Sequence, residues 1–277
     1  MFARIATEQG KGSSASNRSK PEADAVWDRY TSGEEALIAW KLAVKTLALT
    51  NSISAKVTPR ESFYTKHGKR ALDVVVSAAA LTVTLPVNLV LAICTFLDVG
   101  VPILFPQKKI GQNGRNFVLV KFRDMKNLFD EDGALFPPDE RVTRFGRFAR
   151  RLCLDKLVYF WSILKGDMSI IGPRPMDADS FQRFSRRHNQ RHLVKPGMAC
   201  PFLPPLPHPA DWNEQFENDI WYVENISLRT DIKLLFALVG MVFDAKRRGG
   251  ADRGNFIGYD MSGKAVGTSD LNRLHLD

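Results

Sequence analysis

Between Val74 and Leu97 the chain carries no charged residue: "VVVSAAALTVTLPVNLVLAICTFL". The run exceeds the roughly 20 residues needed to cross a hydrocarbon core, so it predicts a membrane-inserted helix. Pro86 lies near its middle, where a proline removes a helical hydrogen bond and kinks the helix. Thr84 and Thr82, two and four residues earlier, offer hydroxyls to the freed carbonyls. Basic residues flank both ends: Lys66, His67, Lys69 and Arg70 before, Lys108 and Lys109 after. Cytoplasmic flanks of membrane segments gather Lys and Arg. Two basic flanks therefore predict a helix that enters, bends at Pro86 and leaves on the same side, with a single span as the alternative. No second apolar run of this length follows.

The rest of the pattern predicts a mixed body. Ser32 and Glu35 have the spacing of a capping box, and "EEALIAWKLAVKTLAL" continues at helical period to about Leu49. "VPILFPQKKIGQNGRNFVLVKFRDM" reads as two short strands around a Gly-bearing turn. "DEDGALFPPDE" reads as a solvated acidic loop. In "RVTRFGRFARRLCLDKLVYFWSIL", Arg141, Arg144, Arg147 and Arg151 recur at three- and four-residue spacing, with Phe145, Phe148, Leu152 and Tyr159 near the adjoining face. That predicts a basic, aromatic-rich amphipathic helix, either lying in a membrane interface or packing on the body as an ordinary surface helix. Gly166 is placed to end it, and Pro173 and Pro175 hold Arg174 in an extended turn. A second basic helix, a proline-rich loop and an apolar helix over Ile232–Phe243, too short to span, complete the body. From about Gly249 the chain turns polar and Gly-rich, the composition of a loose tail. The expected organisation is an N-terminal extension over 1–60, a membrane-associated domain over 61–248 and a flexible tail over 249–277.

Composition adds a partner class. The 277 residues carry 39 Lys and Arg against 30 Asp and Glu, a net charge of +9. Such an excess favours an anionic partner: a nucleic acid, an acidic membrane surface or a phosphorylated substrate. No nucleic-acid motif appears, and the apolar run argues against that class. Cys94, Cys153 and Cys200 are far apart and odd in number, which gives neither a disulfide framework nor a metal pattern. The first 25 residues have no apolar core of a secretory signal. Within "RRLCLDKL" stands one carboxylate, Asp155, among arginines, with Lys156 beside it. It is either a neutralised surface acid or a nucleophile where an anionic substrate docks. A rigid turn presenting one guanidinium, as at Arg174, suits bidentate phosphate binding.

From about Lys66 to Lys246 the chain resembles the bacterial sugar transferases, the monotopic polyprenyl-phosphate phosphoglycosyl transferases. The resemblance rests on Lys69–Asp73 leading into an apolar helix with Pro86, then "VKFRDM", "RVTRFGRFARRLCLDKL", "LKGDMSIIGPRP" and "DIWYVENISLRTDIKLL". It implies a mostly-α α/β fold: a re-entrant membrane helix and interfacial amphipathic helices around a small α/β core. It implies transfer of a sugar-1-phosphate from a UDP-sugar to polyprenyl phosphate at the cytoplasmic face of the inner membrane, with release of UMP. That step initiates assembly of an exopolysaccharide or a related glycan, which later glycosyltransferases extend. By the same resemblance Asp155 is the nucleophile and a ligand of Mg2+. Lys121, Arg123, Arg150 and Arg174, with Pro173 and Pro175 framing the last, face phosphate. Asp167 fixes its loop.

Two departures stand out. The family's motif carries an Asp-Glu dyad whose second carboxylate supports Mg2+; here that position is Lys156. Downstream, "KPGMACPFLPP" replaces a loop that ordinarily brings a tryptophan and an arginine to the nucleotide-sugar pocket. The readings are an active phosphoglycosyl transferase with a divergent dyad, or a catalytically inactive membrane-bound homologue that binds lipid or a partner.

Overall fold

The computed structural model describes residues 33–53, 56–129, 136, 138–243 and 254–273. Ser32 and most of the acidic loop lie outside the described residues. The first helix, α1 (Gly33–Ile53), runs a turn beyond the predicted Leu49. A single π-helical turn (Tyr64–Gly68) then leads into α2 (Lys69–Val99). Together they form a helix long and apolar enough to cross a membrane.

Pro86 lies inside α2, and the helix continues on both sides of it. The carbonyl left without a donor by Pro86 is that of Thr82. The threonine hydroxyls do not serve it as predicted. Thr82 Oγ1 donates to the Ala78 carbonyl at 3.0 Å and Thr84 Oγ1 to that of Ala80 at 2.7 Å. Such bonds to the carbonyl four residues back tend to bend a helix.

Both ends of α2 are bonded to the body. Near its start, Lys69 Nζ pairs with Asp231 at 2.7 Å, and Arg70 donates to the Ile163 and Leu164 carbonyls at 2.6 and 2.7 Å. Asp73 accepts from Ser169 Oγ and the Ile170 N–H, both at 3.0 Å. Near its end, Leu91 and Thr95 are buried and Asp98 accepts from Thr143 Oγ1 at 2.5 Å. Between these anchors Val83, Leu85, Leu89 and Val90 are exposed.

The body is small. β1 (Leu104–Ile110) and β2 (Asn116–Phe122) form the predicted antiparallel hairpin, with Leu104 opposite Phe122 and Ile110 opposite Asn116. Asn113 and Gly114, both at positive φ, turn it. After α3 (Pro138–Arg141) the predicted amphipathic helix comes in two pieces, α4 (Arg144–Arg151) and α5 (Tyr159–Lys165). Gly166, at φ 100°, ends α5 as predicted. β3 (Ser169–Ile171) pairs in parallel with β4 (Gly197–Ala199). At that seam Gly172 and Gly197 pass so closely that a Cβ on Gly197 would lie 2.1 Å from the Gly172 nitrogen, so only glycines fit. Helices α6 (Arg186–Asn189), α7 (Trp212–Asn225) and α8 (Leu228–Phe243) follow. The central core joins Leu119, Ile163, Ile170, Tyr222 and Leu234, from β2, α5, β3, α7 and α8, with Met168 from the turn before β3.

Over the described residues 254–273 the C-terminal segment is not the expected loose tail. β5 (Phe256–Tyr259) and β6 (Ala265–Gly267) form a hairpin, and Phe256, Ile257, Tyr259, Ala265 and Val266 are all buried. Ile257 and Val266 pack on Leu42 of α1. Phe256 and Tyr259 enter a second core with Phe184, Trp212 and Phe216.

Candidate active site

Asp155 sits where the predicted helix breaks. Thr143 caps α4, its Oγ1 accepting from the Gly146 N–H at 2.8 Å. After α4, Cys153 adopts left-handed backbone at φ 57°, and Leu154–Lys156 form a tight 3-10 turn before α5. The reversal turns Asp155 inward while Arg151, Cys153 and Lys156 remain exposed. Only 3% of Asp155 is exposed, and its Oδ1 is buried without a hydrogen-bond partner among the described residues. Burial pushes its carboxyl above the usual carboxylate range, against the pull of Lys156, Lys121 and Arg150.

Three elements bring the surrounding charge together. Lys121 extends from β2, and its Nζ lies 3.3 Å from Asp124 Oδ1. Burial lowers its ammonium pKa, and Asp124 opposes that shift. Arg150, on the last turn of α4, pairs with the other oxygen of Asp124. Although burial works the other way, these two cations hold the Asp124 carboxyl below its usual range. The cluster thus sets Lys121, Arg150 and Lys156 against Asp124 and Asp155. Beside it, Val142, Arg147, Arg150 and Arg151 line an open basin of about 460 Å³. Tyr159, the first residue of α5, is buried within the field of Asp155 and Arg174.

The predicted residues divide accordingly. Asp155, Lys156, Lys121 and Arg150 come together. Arg174 is exposed on its turn between buried Pro173 and half-buried Pro175, and the Pro173 carbonyl accepts from the Gly197 N–H at 2.8 Å. Arg123 does not join them. Its guanidinium donates to the Met125 and Val101 carbonyls at 3.1 and 3.2 Å, tying the end of β2 to the loop after α2. Asp167 pairs with Lys165 at 2.7 Å. Asp124 was not foreseen. Its signal was an acid two residues past a strand, close to the expected cations Lys121 and Arg123, but its partner Arg150 is 26 residues away and only the fold joins them.

The expected Mg2+ does not suit these donors. Among the described residues no group of three or more His, Cys, Asp or Glu could hold a metal ion. Asp124 is taken up by two cations, which leaves one carboxylate beside a lysine. Mg2+ favours one or two carboxylates with substrate oxygens and repels fixed cations.

Comparison with known proteins gives the frame for this geometry. The family model described as bacterial sugar transferase matches residues 64–245, well over half the chain. The chain belongs to the bacterial sugar transferase family. It is 35% identical over 174 residues to the uncharacterized sugar transferase EpsL of Bacillus subtilis (strain 168), covering 63% of this chain and 86% of that protein. It is 34% identical over 179 residues to the UDP-N-acetylgalactosamine-undecaprenyl-phosphate N-acetylgalactosaminephosphotransferase of Aeromonas hydrophila. That match covers 62% of this chain but only 42% of the Aeromonas protein. A third relative, the exopolysaccharide production protein PSS of Rhizobium leguminosarum bv. phaseoli, is 33% identical over 185 residues, covering 62% of this chain and 92% of that protein. The matched region holds α2 and the whole Asp155 cluster, whereas α1 and the β5–β6 hairpin lie outside it.

Proposed function

We propose that this sugar transferase moves a sugar-1-phosphate from a UDP-sugar to polyprenyl phosphate at the cytoplasmic membrane face. One observation carries the reading: Asp155 keeps a buried oxygen without a hydrogen-bond partner, within a ring of cations, in the region shared with named undecaprenyl-phosphate sugar phosphotransferases. A carboxylate oxygen attacks the phosphorus that bears the sugar, the bond from that phosphorus to the UMP oxygen breaks, and UMP leaves. The enzyme then holds an acyl phosphosugar. An oxygen of polyprenyl phosphate attacks the same phosphorus, the bond from that phosphorus to the Asp155 oxygen breaks, and the carboxylate of Asp155 is restored. Lys121 and Arg150, set by Asp124, and Lys156 meet the charge on the transferred group, since phosphoryl transfer depends chiefly on positioning and electrostatics. Arg174 holds a phosphate of the donor from the opposite loop. These fixed cations take the place of a protein-held Mg2+. The lipid product is a substrate for glycosyltransferases that extend an exopolysaccharide or a related glycan, as the name of the Rhizobium relative suggests for that protein.

The membrane surroundings support the same reading. Phe148, Leu152 and Trp161 are exposed next to Arg144, Arg147 and Arg151, the pairing of apolar and cationic groups that suits a lipid interface. Both anchored ends of α2 belong with the body on one side, and its exposed middle dips into lipid.

An inactive lipid-binding homologue is the second reading, favoured by Lys156 at the place of a carboxylate. One assay separates them: UMP release from a panel of UDP-sugars by the solubilised full chain with polyprenyl phosphate. Release that Asp155→Asn abolishes supports the enzyme. No release from any sugar, with polyprenyl phosphate still bound, supports the inactive homologue.

A further inference from the structure

The two segments outside the family match meet each other and then reach the active-site turn. Thr46 Oγ1 of α1 donates to the Tyr259 carbonyl of β5 at 2.8 Å, and Asn51 Oδ1 accepts from the Arg186 N–H at 2.6 Å. Arg183 Nη1 donates to the Phe256 carbonyl at 3.1 Å, and the Phe256 ring stacks on Phe184 with centroids 5.2 Å apart. The Tyr259 hydroxyl accepts from the Ser185 N–H at 3.0 Å and lies 2.9 Å from His188 Nδ1. Ser185 and His188 are the N-cap and third helical residue of α6, which runs straight into the 3-10 turn that carries Arg191.

Arg191 is the other end of this chain of contacts. Its side chain is fully buried, lies 4.9 Å from the Phe216 ring centroid and pairs with equally buried Asp219 at 2.5 Å. Arg191 Nη2 donates to the Arg174 carbonyl at 2.7 Å. The Arg174 carbonyl is therefore held by the arginine of a buried ion pair, while the Arg174 guanidinium stays exposed. A buried pair of this kind costs desolvation and is weak evidence for stability, whereas fixing one local arrangement is a role it can fill.

We propose that α1 and the β5–β6 hairpin form a brace that sets the Arg174 turn, with Tyr259 and Arg191 as positioning residues. The brace holds α6, α6 places Arg191, and the Arg191–Asp219 pair fixes the direction in which Arg174 meets the donor phosphate. This rests on the proposed phosphate role of Arg174. Removing the Tyr259 hydroxyl leaves the ring in its core and loosens only the grip on Ser185 and His188.

The test is a double-mutant cycle read by titrating UDP into the solubilised full chain. Groups in one network couple, whereas independent ones add. Tyr259→Phe is expected to weaken UDP binding about fivefold and Arg174→Ala about tenfold, with the double variant no weaker than Arg174→Ala alone, the pattern such coupling requires. An unfolding midpoint near that of the wild type separates this from general loosening. If Tyr259→Phe fails to fold, Asn51→Ala replaces it, with the same non-additivity expected. Additive losses, or wild-type affinity in Tyr259→Phe, overturn the brace and leave the transferase reading standing if UMP is released. A coupled cycle in a chain that releases no UMP overturns the transferase reading and leaves the brace standing. A wild-type chain that binds no UDP overturns both.

Discussion

At the scale of single residues, the site turns on Asp155 and what surrounds it. Its carboxyl is raised by burial, and only its ionised form can attack phosphorus. The sign follows directly: turnover falls as the pH drops through a value above the ordinary aspartate range. A pH profile of kcat/KM for UMP release is expected to show that acid limb displaced upward; a limb at the ordinary aspartate pKa would contradict it. Lys156 makes a sharper prediction. With Lys121, Arg150 and Lys156 fixed around Asp155, the proposed nucleophile, UMP release by the wild type is expected to persist in excess EDTA. Lys156→Glu removes one cation and adds an acid, and its activity is expected to fall at least tenfold in EDTA and to recover with Mg2+, as the loss of fixed charge and gain of a hard oxygen ligand require. Assays with and without chelator check both halves. Asp155, Lys156, Lys121 and Arg150 were legible in the sequence because each lies in a short motif. Asp124 was not, because its role exists only where a strand end meets the last turn of α4.

At the scale of elements, the break at Cys153 and the hairpin at the C-terminus matter most. Hydrophobic period alone ran one helix through Asp155, since arginines and aromatics keep helical spacing on both sides of it. A left-handed residue in the middle is invisible to such a pattern, yet it is what turns the carboxylate inward. The β1–β2 hairpin was legible from its turn residues and the long apolar helix from its length. The strands Phe256–Tyr259 and Ala265–Gly267 have only 4 and 3 residues, too few for a period to show, and their polar connections made the segment read as a tail. Phe256 carries much of that docking, with rings of Phe184, Phe216 and Trp212 around it. Phe256→Ala is expected to lower stability by about 3–5 kcal/mol, the usual cost of emptying a buried aromatic site. Thermal or denaturant unfolding in detergent reads it, and a loss below about 1 kcal/mol, the scale of a surface change, would show the hairpin to be loosely held.

At the scale of the whole molecule, the membrane orders the parts. Charge on both flanks of α2 predicts that its ends share a side; Asp73 bonds to β3 and Asp98 to the N-cap of α4. Pro86 shapes one continuous helix. Cysteine labels placed at Lys66 and at Lys108 are expected to react from the same face of inverted vesicles; reaction of one label alone would mean a span. On the proposed reading the body presents Arg144, Arg147 and Arg151 to lipid phosphates, and the basin beside Arg150 lets a donor in water and an acceptor in lipid reach one carboxylate. The claim on which all of this rests is that Asp155 becomes covalently phosphoglycosylated. Intact-protein mass, measured after exposing the purified chain to a panel of UDP-sugars without polyprenyl phosphate, tests it most directly. The account predicts an added sugar phosphate for at least one donor, lost on adding polyprenyl phosphate and absent from Asp155→Asn. UMP release with no adduct in the wild type, or an adduct that survives Asp155→Asn, would contradict it.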